Sequence, residues 1–416
     1  MASRENIVVG LDIGTTKVCA IIAEADEGGV KVVGVGLTRA EGLRRGVVVN
    51  LDKTVESIRR AVEEAELMAG VEVRSVYAGI AGDHIRSVNS HGVIAVPRGG
   101  VEITRSDVAR AIDAAKAVAI PMDREVVHIL PQDFTVDDQH GIKDPTGMAG
   151  VRLEVDVHIV TGAVSSAQNI VKAIQRAGYQ VTDLVLEPLA SAYSALTEDE
   201  RELGVVIVDM GGGTTDIALF HEGAVRQTSV IGLGGNNVTN DIAIGLRTPA
   251  RDAERIKERF GAALAHVVSG DEEIRVPGVA SQHERRVSRQ LLASIIQPRM
   301  EEMLQLVVRE IRKTDWGDKI PAGMVLTGGA SSLEGTAMLA EEVLDMPVRI
   351  GYPMGVTGLT DSIQDPKYAT AVGLVLYGVE REHEEARFSG RNDDSVWQKV
   401  LERMRGLLGD LFDGKR

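Results

Sequence analysis

The sequence predicts an α/β protein built from two related halves, with an inserted α+β subdomain and an amphipathic helix at the C-terminal end. Three observations lead to this prediction. A glycine turn between two apolar runs occurs twice, at residues 12–17 and 209–216, and each copy continues into a third apolar run. The α/β pattern is interrupted between residues 84 and 161, and residues 396–416 carry one continuous apolar face.

The composition limits the function classes. The chain has 416 residues, enough for two or three domains, with a formal net charge of −15 and 3% aromatic residues. An acidic chain with so few aromatic side chains argues against nucleic-acid binding. The single cysteine, Cys19, cannot form an internal disulfide, so we expect a buried thiol in a reducing cytoplasm. No signal peptide is evident, and no apolar run reaches the roughly 18 residues of a transmembrane helix.

The turn at residues 209–216 contains the residue types that bind phosphate groups and metal ions. Asp209 and Asp216 enclose three glycines and two threonines. Glycines let bare N–H groups approach a ligand, threonines add hydroxyl donors, and the carboxylates can hold a cation or water. A shorter copy runs from Asp12 to Lys17. Two such turns predict a nucleotide held between the two halves, although two unrelated hairpins are the alternative interpretation.

Hydrophobic periodicity gives the remaining elements in order. The predicted strands are 6–13, 17–23, 30–37, 73–81, 93–96, 126–130, 153–157, 158–161, 181–186, 205–210, 214–220, 224–230 and 324–327. The predicted helices are 52–69, 106–118 with a capping box from Thr104 to Asp107, 165–177, 187–196, a helix-rich segment 236–314, a helix ending at 344, and 368–377. Pro298 should kink or break its helix. The similarity of residues 161–166 to 327–332 is interpreted as further duplication, and the charged segment 380–395 as a flexible linker.

Residues 396–416 predict an amphipathic helix. Its apolar side chains recur at helical spacing: Val396, Trp397, Val400, Leu401, Met404, Leu407, Leu408, Leu411 and Phe412. The segment can pack on the body as a core helix, bind a protein groove or lie on a membrane. The charged segment before it argues against tight packing, and the aromatic ends with Lys and Arg at the edges favour the membrane surface.

Other nucleotide and metal sites do not match. There is no Gly-x-x-x-x-Gly-Lys-Ser/Thr motif, so a P-loop is excluded. The pair Gly34 and Gly36 lacks the third glycine and the strand–helix context of a Rossmann site. The nine histidines show no metal-ligand spacing, so we expect no zinc site.

The two turns, followed by Gly328-Gly329-Ala330, resemble the phosphate 1, phosphate 2 and adenosine motifs of the actin, DnaK-type chaperone and sugar kinase superfamily. Three further features resemble the bacterial cell division family FtsA: the position of the insert, its segments 129–134 and 143–148, and the C-terminal amphipathic helix. The resemblance covers nearly the whole chain. It implies a duplicated ribonuclease-H-like (actin-like ATPase) fold.

The resemblance also implies a site for ATP and Mg²⁺. Asp12 and Asp209 would hold Mg²⁺ through water, and Glu187 would orient a water molecule. The implied nucleotide contacts are Gly14, Thr15, Thr16, Lys17, Gly212, Gly213, Thr214, Thr215, Gly234, Gly235, Glu254, Lys257, Gly328, Gly329 and Ala330. An ordinary helix salt bridge is the alternative for Glu254 and Lys257, and a helix N-terminal charge is the alternative for Glu187.

The implied function is a membrane-tethered cell division protein with slow or regulatory ATP hydrolysis. It would self-associate into filaments and anchor FtsZ filaments to the cytoplasmic membrane at the septum, with later division proteins as further partners. The C-terminal peptide of FtsZ would dock on the helix-rich segment near Arg289 and Arg299, although a solvated helix face explains these arginines equally well. A small-molecule kinase and a pilus or secretion assembly scaffold are the alternatives.

The predicted domain division follows the same pattern. It is residues 1–83, 162–197 and 359–380 for the first half; 84–161 for the insert; 198–231 and 306–358 for the second half; 232–305 for the helix-rich subdomain; 381–395 for the linker; and 396–416 for the membrane helix.

Overall fold

A computed structural model describes residues 6–26, 28–96, 102–278 and 284–389. The strands are β1 Ile7–Ile13, β2 Lys17–Asp26, β3 Gly29–Arg39, β4 Leu43–Arg44, β5 Val47–Val48, β6 Ser75–Ile80, β7 Arg86–Ala95, β8 Arg124–Val136, β9 Gln139–Ile142, β10 Arg152–Ala163, β11 Gln180–Leu186, β12 Val205–Met210, β13 Thr215–His221, β14 Ala224–Ile231, β15 Glu273–Val276, β16 Arg285–Ser288, β17 Met324–Thr327, β18 Val348–Ile350 and β19 Thr357–Gly358. The helices are α1 Leu51–Ala69, α2 Arg105–Ala115, α3 Val164–Ala177, α4 Glu187–Ala195, α5 Glu198–Leu203, α6 Gly235–Gly245, α7 Ala250–Phe260, α8 Arg289–Ile311, α9 Thr336–Leu344, α10 Thr360–Ile363 and α11 Ala369–Ser389.

Two sheets of equivalent topology form the two halves. The first sheet has the order β11-β6-β1-β2-β3-β19, and the second has the order β14-β13-β12-β17-β18. In each half an antiparallel meander is extended by a parallel strand beside its first strand, β6 beside β1 and β17 beside β12. The predicted duplication of the meander is therefore confirmed.

The proposed equivalence of residues 161–166 and 327–332 is wrong. Strand β17, which ends at Thr327, occupies the place that β6 occupies in the first half. Thr161 lies in β10, which belongs to a different sheet. Position in the sheet decides structural equivalence, and the short shared sequence does not.

The third sheet, β7-β10-β8-β9, together with α2, is called the insert below. The predicted strands 153–157 and 158–161 are one strand, because β10 pairs with β7 and β8 along almost its whole length. The predicted capping box is confirmed: the Thr104 hydroxyl oxygen accepts from the Asp107 N–H, and the Asp107 carboxylate accepts from the Thr104 N–H. Gly92 lets α2 approach the sheet, since a Cβ there would lie 2.5 Å from the Ala111 carbonyl oxygen.

The first sheet is buried on both faces, and its strands therefore alternate between two cores. Val9 and Ile22 face the core shared with α1 and α3, whereas Val8 and Ile21 face the core shared with α11. Gly36 is required for the close packing of α1, because a Cβ there would lie 1.8 Å from the Ala61 carbonyl oxygen. The Gly34-x-Gly36 pair is thus a helix-packing feature.

Helix α8 runs through Pro298 without a break, so the predicted break is wrong, whereas the predicted kink stays a prediction. Proline removes one N–H donor, and the carbonyl of Ser294 loses its partner on the helix. Ser294 and Pro298 are both exposed. Solvent can therefore satisfy the released carbonyl, which makes proline tolerable at this position.

Helix α11 continues to Ser389, so the predicted flexible linker is wrong for residues 380–389. Val379 is buried and Glu380 is exposed, so the helix leaves the core here. Glu380, Arg381 and Glu382 are good helix formers, and the Arg381 guanidinium lies 5.9 Å from the centroid of the Tyr377 ring. Residues 390–416, with the predicted amphipathic helix, lie outside the described residues. Within the described part, no helix is long and apolar enough to cross a membrane.

Candidate functional site

A cleft of about 1070 Å³ lies between the two halves. It is lined by the turn after β1, the turn after β12, the start of α6, helix α7 and the segment after β17. The structure thus brings together most of the predicted site residues, which come from segments far apart in the sequence.

The two glycine turns lie directly against each other. A Cβ on Gly212 would lie 2.3 Å from the Cγ2 atom of Thr16, and a Cβ on Gly213 would lie 2.5 Å from the Oγ1 atom of Thr15. Any larger residue at either glycine would therefore displace the threonine that faces it on the first turn. The first turn is closed by the Gly14 N–H, which donates to the Lys17 carbonyl oxygen at 2.9 Å.

Asp12 and Lys17 form an ion pair at the first turn. Asp12 ends β1 and is buried, and the Lys17 ammonium donates to its carboxylate. Burial alone would lower the pKa of Lys17, but the Asp12 carboxylate outweighs it and raises that pKa above its usual range. Lys17 therefore stays charged in the cleft.

Asp209 is held by two hydroxyl groups that sequence reasoning missed. It accepts hydrogen bonds from Ser191 Oγ at 2.7 Å and Thr370 Oγ1 at 2.9 Å. Burial raises the pKa of Asp209. Ser191 follows Glu187 by one helical turn on α4, which was the available signal for it, whereas Thr370 is distant in sequence and carries none.

Asp216 and Glu187 complete a group of four carboxylates. Asp216 accepts from Thr214 Oγ1 at 2.8 Å, while its buried Oδ1 has no partner among the described residues. Burial, together with Asp209 and Asp12, raises the pKa of Asp216 to about 8. Glu187 begins α4 and keeps partial exposure to the cleft; desolvation and the neighbouring aspartates raise its pKa well above the usual value. Asp216 was part of the recognised motif but not of the predicted site.

This donor set fits a divalent cation bound through water. The four carboxylates lie near Lys17, which is paired with Asp12, and the buried Asp216 Oδ1 has no partner within the described part of the chain. In the described part of the chain, no three His, Cys, Asp or Glu side chains are grouped closely enough to hold an ion directly. Water-mediated contact is the arrangement that Mg²⁺ commonly adopts with carboxylates and phosphates.

Glu254 and Lys257 form the helix salt bridge considered as the alternative, and they also line the cleft. The Lys257 ammonium lies 3.0 and 2.9 Å from the two Glu254 carboxylate oxygens and donates to Thr239 Oγ1 at 2.9 Å and the Gly235 carbonyl at 3.2 Å. The two interpretations are thus compatible. Thr239, which sequence reasoning missed, follows Gly235 by one turn of α6.

The start of α6 is fastened to the second glycine turn. The Gly235 N–H donates to the Gly211 carbonyl at 2.9 Å, and the Asn236 N–H donates to the Gly212 carbonyl at 2.8 Å. Gly234 packs against the same turn, since a Cβ there would lie 2.6 Å from the Gly211 oxygen. Whatever moves the start of α6 therefore moves the turn.

Among the other predicted contacts, Gly328, Gly329 and Ala330 line the cleft, whereas Thr215 and Gly234 do not. Thr215 is fully buried, and its hydroxyl donates to the Leu233 carbonyl at 2.9 Å. This hydrogen bond holds the loop between β14 and α6 against β13. The position of Thr215 beside Thr214 in the sequence did not reveal this difference, because successive residues of a strand point to opposite faces.

Arg289 and Arg299 lie on α8, outside the cleft, and both are paired within the chain. Arg289 contacts Glu272 at 3.0 Å and Glu334, and Arg299 contacts Asp241 at 2.6 Å and Glu302. A contact with an acidic peptide would have to compete with these carboxylates. That contact stays a prediction.

Family models match two parts of the chain. A model described as "Cell division protein FtsA" matches residues 206–373. A model described as "SHS2 domain inserted in FTSA" matches residues 82–161, the region that contains the insert.

Similar curated proteins match almost the whole chain. The cell division protein FtsA of Pseudomonas aeruginosa is 50% identical over 412 residues, which is 97% of this chain and 98% of that protein. The cell division protein FtsA of Escherichia coli strain K12 is 46% identical over 387 residues, which is 91% of this chain and 92% of that protein.

Solved structures with the same fold are more distant in sequence. A PilM–PilN type IV pilus biogenesis complex has a TM-score of 0.64 at 18% identity and covers 89% of this chain and 98% of the matched chain. MreB5 of Spiroplasma citri bound to ADP has a TM-score of 0.56 at 14% identity, covering 91% of this chain and 98% of the matched chain. These likenesses confirm the predicted actin-like ATPase fold.

Proposed function

The chain belongs to the cell division protein FtsA family, and from this premise we propose that it binds ATP with Mg²⁺ between its halves, assembles into filaments and anchors FtsZ to the cytoplasmic membrane at the septum. Its being an actin-like cell division protein follows from the family and the fold. The ligand, the partner and the membrane are the steps that experiments must test.

The observation that carries the nucleotide proposal is the contact between the two glycine turns. Gly14, Thr15 and Thr16 line the cleft from the first half, and Gly212, Gly213 and Thr214 line it from the second. A chain of phosphates between the turns would be bound by both halves at once. Such a ligand would hold the halves together, as expected of a ligand that controls assembly.

The carboxylates supply the second part of this proposal. Asp12 and Asp209 would hold Mg²⁺ through water, and Mg²⁺ would neutralise phosphate charge. Glu187, at the N-terminal end of α4, would accept a hydrogen bond from a water molecule and orient it toward the terminal phosphate. Burial and the neighbouring carboxylates favour the protonated form of Glu187, which accepts a hydrogen bond from water poorly. Bound cations would reduce the negative charge around Glu187 and so favour its ionised form. Slow hydrolysis is consistent with this arrangement.

Binding of Mg²⁺ and ATP tests the first step directly. We expect isothermal titration calorimetry of the full chain to show one site per chain, and we expect affinity to fall when EDTA removes Mg²⁺. The absence of any heat or displacement with ATP and ADP at millimolar concentration would contradict the nucleotide proposal.

The membrane step depends on residues 396–416, which lie outside the described residues. One amphipathic helix gives reversible binding, whereas many helices along a filament bind far more firmly through effective concentration. Liposome co-sedimentation of the full chain and of residues 1–395 tests this step. A full-length protein that stays in the supernatant at every concentration would contradict the anchor. Leu408→Glu is the matched point variant, because it adds a charge to the apolar face and keeps the length.

Filament formation and FtsZ recruitment separate this function from a kinase of the same fold. Electron microscopy of lipid monolayers should show filaments with ATP and fewer filaments without it. FtsZ should sediment with liposomes only when this protein is present, and an FtsZ that lacks its C-terminal peptide should stay in the supernatant. Co-sedimentation of that truncated FtsZ would exclude the peptide as the contact.

A further inference from the structure

The insert covers the exposed edge of the second sheet. Strand β14 is an edge strand, and its outward carbonyl groups receive donors from side chains of the insert. Ser87 Oγ donates to the Thr228 carbonyl at 2.9 Å, and Gln132 Nε2 donates to the Val225 carbonyl at 2.6 Å. These bonds satisfy an edge that would otherwise be open to pairing with another strand.

A buried arginine joins the same two parts. Arg226 of β14 is 2% exposed, and its guanidinium contacts Asp133 of the insert. It also donates to Glu222 at 2.8 Å and lies 4.6 Å from the centroid of the Trp316 ring. A buried cation with this many partners is held in one position, and so is the strand that carries it.

A buried histidine makes the third connection. Burial lowers the pKa of His158 to about 4, so its ring is neutral and has one N–H. Asn89 Nδ2 donates to the Arg226 carbonyl at 3.4 Å, which leaves Asn89 Oδ1 to accept from His158 Nδ1 at 2.6 Å. His158 Nε2 then accepts from the Thr228 hydroxyl at 2.9 Å. Every group in this chain of bonds has a defined role.

Strand β14 leads from this interface directly into the cleft. Thr228 is followed seven residues later by Gly235. The Gly235 and Asn236 N–H groups are bonded to Gly211 and Gly212 of the second glycine turn. The loop 232–234 between β14 and α6 is tied to β13, because the Thr215 hydroxyl donates to the Leu233 carbonyl at 2.9 Å. A shift of β14 at the insert can therefore be passed through this loop to the turn.

We propose that docking of the insert on β14, through Arg226, Asp133 and His158, positions residues 232–236 and the second glycine turn, so that insert docking and nucleotide binding strengthen each other. This inference rests on the nucleotide binding proposed above. Arg226, Asp133 and His158 are positioning residues, because none of them lines the cleft. Thermodynamic linkage requires the coupling to be reciprocal.

The first test weakens docking and measures the distant site. Asp133→Asn removes the carboxylate charge from the interface with little change in shape. We expect Mg²⁺–ATP to bind at least about 5-fold more weakly in calorimetry, and amide hydrogen exchange to become faster in residues 232–236. Arg152→Ala is the matched control, because it breaks a 2.7 Å ion pair with Glu154 inside the insert without touching β14.

A double-mutant cycle separates coupling from general damage. Asp133→Asn, Arg226→Met and their combination should lower the ATP affinity non-additively, since either change removes the same connection. Additive losses would show that the two residues act independently and would contradict the proposal. If circular dichroism shows that Asp133→Asn does not fold, Gln132→Ala replaces it in the test. Gln132→Ala removes the side-chain donor to the Val225 carbonyl of β14 and changes no charge.

The reciprocal test leaves the sequence unchanged. Mg²⁺–ATP should slow hydrogen exchange in residues 87–91 and 130–134 of the wild-type insert. If the wild type binds no nucleotide, the proposed function fails. If the wild type binds, but Asp133→Asn has the same affinity and the insert exchanges at the same rate with and without ATP, the function stands and this inference is overturned.

Discussion

The second half contacts its neighbours in two regions with opposite electrostatic character: it meets the first half at the cleft and the insert at β14. At the two turns of the cleft, Asp12, Glu187, Asp209 and Asp216 lie close together, with Lys17 paired to Asp12, and Asp216 Oδ1 has no partner among the described residues. Between the insert and β14, the buried Arg226 is matched by Asp133 and Glu222. Uncompensated buried charge is costly unless a ligand supplies the counter-charge, whereas compensated charge fixes one arrangement of the chain. This difference supports the proposed binding of a ligand in the cleft and a structural role for the insert interface.

The largest effect should come from breaking the compensated region. Arg226→Ala leaves Asp133 without its buried partner and deletes the packing on Trp316. We expect the free energy of unfolding to fall by about 3–5 kcal/mol in urea denaturation. The control, Arg152→Ala, should change it by less than about 0.5 kcal/mol because Arg152 is half exposed. An Arg226→Ala protein with wild-type stability would contradict the contrast between the regions.

The next effect concerns ligand binding in the uncompensated region. Asp209→Asn removes a carboxylate charge from the cleft and keeps a group that Ser191 and Thr370 can bond. We expect the Kd of Mg²⁺–ATP to rise about 10-fold or more, which is a loss of about 1.4 kcal/mol. Stability without ligand should not fall. Asp52→Asn, on the exposed start of α1, is the control and should bind ATP as the wild type does.

The pH dependence of stability sharpens the comparison further. Because the folded-state pKa of Asp216 is raised to about 8, the folded protein binds a proton that the unfolded chain has released above about pH 4. The contribution of Asp216 to stability without ligand is therefore fully present below the unfolded pKa and is lost as pH rises through 8, with a slope of up to about 1.4 kcal/mol per pH unit.

Asp216→Asn should flatten this slope, and thermal melts from pH 5 to 9 measure it. Mg²⁺ and ATP should also reduce the slope in the wild type, because a cation favours the ionised carboxylate. A wild-type protein that becomes more stable between pH 6 and 9 would contradict the assignment of excess negative charge to the cleft.

The smallest effect is expected at the rim, the solvent-exposed contact between Lys143 and Glu202 at the edge of the insert. Lys143 of the insert lies 2.8 Å from Glu202 of α5, and both side chains are more than half exposed. Lys143→Ala should change unfolding free energy and ATP affinity by less than about 0.5 kcal/mol, because exposed ion pairs contribute little. A larger loss of affinity would mean that insert docking depends on its rim rather than on Arg226.

The sequence predicted the local parts of this site. Glycine turns flanked by apolar runs locate Asp12 and Asp209 at the ends of equivalent strands, and the capping box locates α2. Partners distant in sequence could not be predicted: Thr370 meets Asp209 across 161 residues, and Gln132 meets Val225 across 93. Pro298 was predicted to end or bend its helix, but α8 is not broken there, because solvent can bond the carbonyl group that proline leaves free. The prediction of a linker from charge alone overlooked that Glu and Arg are also good helix formers.

Helix α11 begins beside the cleft and ends far from it. Thr370, in its first turn, bonds to Asp209, and the helix continues to Ser389. At 1.5 Å per residue, the two points are separated by about 28 Å of helix. One continuous helix therefore joins the cleft to Ser389, the last residue before the final 27 of the sequence. The position and direction of the chain at Ser389 are thus fixed relative to Asp209 by the backbone of α11.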